Sequence, residues 1–161
     1  MAEVMEPIEL SLTVAALPDR AFDLFQARFG AWWPTDYTYC GQGGLTPDFI
    51  GIGDAEGAMC SEIGPHGFRV DWGRTLTFHP GRHLAFLWQI GPDSTPQPNP
   101  DLASIVELLF VADGETTTVT LTHRAFERHG EGAEDYRAEM ASERGWPLLL
   151  ARYRAFVADN P

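Results

Sequence analysis

Few side chains in this sequence have the type and setting to do chemistry, and His123 is the first of them. It closes a run in which Val119, Leu121 and His123 alternate with Thr118, Thr120 and Thr122. A strand there sets the imidazole on the apolar face. With an unperturbed pKa of about 6.5, such a ring can orient a ligand or exchange a proton with it. It can equally be a core group satisfied by a neighbouring carbonyl. Arg74 shares the alternation of Trp72 and Leu76. Turned inward, its guanidinium would clamp a carboxylate, whereas a bulge at the adjacent Gly73 would send it to solvent. The five tryptophans, Trp32, Trp33, Trp72, Trp88 and Trp146, offer flat apolar walls with polar tips. Such walls suit an apolar ligand carrying a few hydrogen-bonding groups, and each is also ordinary core material.

Other reactive types lack a supporting pattern. His79 and His83 are four apart, but Pro80-Gly81 between them makes a turn, not the helical face of a metal pair, so no metal site is expected. Cys40 and Cys60 have no C-x-x-C spacing and read as free thiols. There is no G-x-S-x-G elbow, phosphate loop or dinucleotide fingerprint, so no nucleotide cofactor is implied. Glu127, Glu131, Glu134, Asp135, Glu139 and Glu143 mix with Arg124, Arg128, Arg137 and Arg144 as a solvated charged face.

Composition narrows the partners. A net charge of −12 on 161 residues repels nucleic acid and anionic lipid, so the expected partner is a small neutral or cationic molecule, or another protein, a second copy of the chain included. No apolar run approaches the roughly 20 residues that span a bilayer, and Met1-Ala2-Glu3-Val4-Met5-Glu6-Pro7 places acids where a signal peptide carries positive charge. A cytoplasmic location and a single domain over 1–161 are the expectations.

The elements that must position these residues are legible in order. Ile8, Leu10, Leu12 and Val14 alternate with polar residues as a half-buried strand. Pro18, Asp19 and the spacing of Phe22, Phe25 and Phe29 predict a helix from Pro18 to about Arg28. The glycine-rich stretch from Thr35 to Gly57 reads as loops around a short strand at Phe49 to Gly51. Strands are expected at Ala58–Ile63, Phe68–Phe78 and His83–Ile90, the last two joined by the turn at His79-Pro80-Gly81-Arg82. Trp72, Leu76 and Phe78 should share one face, and Leu84, Phe86 and Trp88 the facing one. After a proline-rich surface loop, Ser104–Val111 and Thr116–Arg124 form a second hairpin. A short helix from Glu134 to Arg144 leads to a longer one whose apolar stripe is Trp146, Leu149, Leu150, Tyr153, Phe156 and Val157. The sum is an α+β domain, a curved antiparallel sheet wrapped around a long C-terminal helix.

Several blocks in this order resemble the heat-shock protein 90 ATPase activator homologue family of the START-like, or SRPBCC, superfamily. They are Ala15-Ala16-Leu17-Pro18-Asp19-Arg20-Ala21-Phe22, Trp32-Trp33-Pro34, Asp71-Trp72-Gly73-Arg74-Thr75-Leu76 leading to Pro80, Leu84-Ala85-Phe86-Leu87-Trp88, Thr118-Val119-Thr120-Leu121-Thr122-His123-Arg124 and Gly145-Trp146. The resemblance runs from about Ile8 to Val157 and implies the helix-grip fold of the birch pollen allergen. It also implies a hydrophobic cavity between sheet and helix, used in that superfamily to bind lipids, steroids, polyketides or plant metabolites, and by a minority of members for catalysis.

Three functional expectations follow. The first is a small-molecule binding protein that shelters a hydrophobic or aromatic ligand behind Trp72, Arg74, Phe86, Trp88, His123, Trp146 and Tyr153. The second is a cyclase or hydratase with His123 as general acid or base and Arg74 or Tyr153 steering a carbonyl. The third is a co-chaperone-like adaptor working through the outer sheet face.

Overall fold

The computed structural model describes residues 3–161. Strand β1 (Ile8–Val14) leads into helix α1 (Pro18–Gln26), which has proline in its first turn and Asp19 near its positive end. The helix stops two residues before the expected Arg28. A second short helix, α2 (Phe29–Trp32), then carries the chain through Gly30. Helix α3 (Tyr39–Gln42) and edge strand β2 (Phe49–Gly51) occupy the glycine-rich stretch. Then come β3 (Met59–Ile63), β4 (Arg69–His79), β5 (His83–Trp88), β6 (Ser104–Asp113) and β7 (Thr116–Arg124). Helices α4 (Ala133–Ala141) and α5 (Trp146–Asp159) close the chain.

All seven strands form one antiparallel sheet in the order β1-β7-β6-β5-β4-β3-β2. It curls around α5, whose Trp146, Leu149, Leu150, Tyr153 and Val157 are buried. The core between them is aromatic at its centre. Phe25 meets Tyr153 edge-on with ring centroids 5.0 Å apart, and the Tyr153 hydroxyl donates to the Ala21 carbonyl oxygen at 2.6 Å. That bond satisfies the one polar atom of a fully buried ring and ties α5 to α1.

The expected alternation holds in β7, where Thr117, Val119, Leu121 and His123 are the buried set. In β4 it breaks twice. Against β3, Cys60 faces Gly73 and Ser61 faces Asp71, so Trp72 is an extra residue. Against β5, Thr75 faces Phe86 and Thr77 faces Ala85, so Leu76 is another. Each bulge reverses the faces beyond it. Trp72 and Phe78 therefore stay inside, while Leu76, expected beside them, is 39% exposed. The same geometry corrects the inward placement of Arg74: it is exposed on the outer face, in register with Leu87 and Met59. Gly73 is obligatory here, because a Cβ would lie 2.4 Å from the Leu87 carbonyl oxygen.

Candidate functional site

Between the β3–β5 end of the sheet and the loops before α3, α4 and α5 lies a half-open cleft of about 870 Å³. Its inner wall is a run of stacked and edge-on rings. Phe29 stacks on Trp33 at 4.7 Å and on Trp72 at 5.5 Å between centroids. Trp72 meets Trp88 edge-on at 5.6 Å. The bulge in β4 is what aims Trp72 at this space, and α2, opened by Phe29, delivers Trp33.

Polar groups sit at fixed points along this wall. The Trp88 indole donates to the Tyr136 hydroxyl at 2.6 Å, and that hydroxyl donates to the Ile90 carbonyl oxygen at 2.9 Å. Glu62, fully buried on β3, accepts from the backbone amides of Tyr39 and Cys40 at 2.8 and 2.7 Å, one per carboxylate oxygen. It thereby pins the start of α3 against the sheet. Burial, with the Glu62 and Asp93 carboxylates adding to it, pushes the Tyr39 phenol well above its ordinary pKa. Burial does the same for Tyr136 against the opposing effect of the Trp88 hydrogen bond. Both phenols are therefore protonated donors at any working pH. Two donors of the wall, the Tyr39 hydroxyl and the Trp72 indole N–H, are buried without an acceptor among the described residues. Unpaired buried donors are costly, and donors that line an open cleft are placed to be satisfied by what enters it.

Of the residues singled out in the sequence, Trp33, Trp72 and Trp88 line the cleft, as do Asp135, Glu139 and Arg144 of the charged segment. Phe86, His123, Trp146 and Tyr153 do not; they are buried behind it in the core, and Arg74 lies outside. His123 is the instructive case. Its Nδ1 accepts from the Trp146 indole N–H at 2.9 Å, which puts the proton of the neutral ring on Nε2. Nε2–H then donates to Ser104 Oγ at 2.7 Å, and the Ser104 hydroxyl donates to His129 Nε2 at 2.7 Å. The chain runs in one direction, Trp146 to His123 to Ser104 to His129, and every link needs neutral imidazoles. Burial holds the His123 pKa well below its ordinary value, with the His129 charge adding to it, and lowers His129 to about 4. An imidazole with both nitrogens engaged and no exposed surface has no route to a substrate proton, so His123 serves as a core strut.

Most polar residues of the cleft carried no site assignment from the sequence, among them Asp36, Tyr39, Glu62, Asp93, Asp135 and Tyr136. Glu62 had a usable signal, since it lies two residues from Cys60 and so on the same face of β3. Tyr39 and Asp93 lie in stretches without period, and Tyr136 in a helix with little amphipathic contrast.

No protein-family model matches the chain, and no curated protein matches it significantly. Solved structures do. The anthrahydroquino-γ-pyrone synthase Txn09 is 28% identical over 97% of this chain and 99% of its own, with a TM-score of 0.66. The self-sacrificing resistance protein CalC from Micromonospora echinospora is 24% identical over 95% of this chain and 94% of its own, at 0.68. Protein MLL2253 from Mesorhizobium loti is 14% identical over 97% and 99%, at 0.66. A seven-stranded curled sheet closed on a C-terminal helix, matched end to end by these structures, is the START-like helix-grip fold.

Proposed function

We propose that the protein binds a flat, largely apolar small molecule in the aromatic cleft, with a carbonyl or ether oxygen directed at its inner end. The observation that carries this reading is the pairing of a ring-lined cleft with two unpartnered donors, Tyr39 Oη and Trp72 Nε1. Rings supply dispersion and area, and the two donors supply orientation. The likeness to Txn09 across nearly the whole chain supports a polycyclic aromatic ligand, because that protein is a synthase of an anthrahydroquino-γ-pyrone. The narrower resemblance to the heat-shock protein 90 ATPase activator homologues, and with it a cytoplasmic adaptor role, rests on the sequence blocks alone. A cyclase working through His123 has no support in the geometry.

The test uses 1,8-dihydroxyanthraquinone as probe, followed by quenching of tryptophan emission. Saturable quenching is expected. Tyr39→Phe should weaken it about fivefold, the worth of one hydrogen bond, while leaving the unliganded protein as stable or slightly more so, since an unpaired buried hydroxyl is removed. Absence of saturable quenching, or a Tyr39→Phe variant that is destabilised yet binds unchanged, would refute the reading.

A further inference from the structure

The rim of the cleft differs in character from its wall. Asp36, Asp93, Asp135 and Glu139 line it, and among the described residues Arg144 is the one cation beside them. Arg144 is already committed, its Nη2 lying 3.3 Å from the Glu139 carboxylate. Asp36, Asp93 and Asp135 have no cationic partner among the described residues. The Thr95 hydroxyl and amide hydrogen-bond Asp93 and lower its pKa, so it stays ionised.

These carboxylates do not converge on a point. No group of three or more His, Cys, Asp or Glu among the described residues could hold a metal ion, so the rim does not present an inorganic cation site. Carboxylates distributed around an apolar opening instead create a focused negative potential at the mouth of a low-dielectric cleft. Within the same cleft Trp72, 2% exposed, keeps its indole N–H unpartnered, so the inner end asks for an acceptor and the outer end for positive charge.

Building on the binding function proposed above, we infer that the ligand is a cationic amphiphile: an aromatic body with an oxygen acceptor at its inner end and a protonated amine at its outer end, in the negative field of the rim carboxylates Asp36, Asp93 and Asp135. The aromatic rings behind the rim reinforce the choice, since ring faces also attract ammonium groups.

Three probes of one shape separate this from the parent reading: 1-naphthylmethylamine, 1-naphthalenemethanol and 1-naphthoate, titrated by calorimetry at low ionic strength. The amine should bind about tenfold tighter than the alcohol, and the carboxylate more weakly than either. Added salt should close the gap, because the rim is solvated and screened. In the double variant Asp36→Asn with Asp135→Asn, both exposed positions, the amine should fall to the affinity of the alcohol while the alcohol itself is unaffected. Equal binding of amine and alcohol, or a gap that survives the double variant, overturns the inference and leaves an uncharged aromatic ligand in the cleft. Failure of all three probes to bind a protein that still binds 1,8-dihydroxyanthraquinone overturns this inference alone; failure of the anthraquinone as well overturns the cleft reading with it.

Discussion

Acidification should weaken this protein well before its carboxylates titrate, and the histidine chain sets the amount. His123 and His129 are neutral in the fold, the first because burial disfavours its charge and the second with a pKa lowered to about 4. Unfolded, each takes up a proton with a pKa of about 6.5. Between these values the unfolded state binds more protons, so stability is complete above about pH 6.5 and falls as pH drops through it. At pH 5 the unfolded-state protonation of one histidine amounts to about 2 kcal/mol. His123 should contribute that in full; His129, partly exposed, is discounted to about 1 kcal/mol for solvent screening. Urea unfolding followed by circular dichroism should therefore show a loss of about 3 kcal/mol between pH 7.5 and pH 5. His129→Gln keeps an acceptor for the Ser104 hydroxyl and removes one titrating ring, so its loss over that range should be smaller by about 1 kcal/mol. A wild-type stability that is flat to pH 5 would refute the neutral chain. So would a His129→Gln variant that loses as much as the wild type.

Three further outcomes test the site. Glu62→Gln retains one acceptor for the two amides of Tyr39 and Cys40 and turns an NH₂ toward the other, so it should cost about 1–3 kcal/mol by urea unfolding. Tyr136→Phe strands the Trp88 indole N–H and the Ile90 carbonyl and should cost a similar 1–3 kcal/mol, about that of an unsatisfied buried group, with a change in tryptophan emission. Arg74→Ala, outside the cleft, should leave stability within about 0.5 kcal/mol and anthraquinone binding unchanged; a loss of binding would restore it to the site.

How far the molecule could be read from its residues depended on period. Where side chains alternate without interruption, as in β1 and β7, strand, face and partner followed from the sequence, and His123 was placed on the buried face. Where a strand is bulged, the same argument misassigned residues: two extra residues in β4 turned Leu76 and Arg74 outward, and Gly73 was the only visible warning. Phe86, Trp146 and Tyr153 were correctly read as facing the interior, but apolar pattern does not distinguish the wall of a cleft from the core behind it. The site's polar members come from the glycine-rich stretch before β2, the proline-rich loop after β5 and the weakly amphipathic α4. Their positions are set by long-range contacts, such as the Glu62 carboxylate on the α3 amides, which leave no local periodic trace.

The strand order has a kinetic corollary. From β2 to β7 every strand pairs with its sequence neighbour, so most of the sheet can grow by zipping successive hairpins, the proline-rich segment between β5 and β6 being the longest loop to close on the way. β1 is the exception: it pairs with β7, Ile8 opposite His123 and Val14 opposite Thr117, strands separated in sequence by all the others. Joining them requires the largest loop-closure entropy in the fold, and α1, which follows β1, is brought over α5 by the same event. The sheet is thus expected to be completed last, when β1 docks on the edge of β7 to form the β1–β7 seam. Before closure the edge of β7 is an unpaired template for other strands, so the seam is where slow refolding and strand exchange between copies should concentrate.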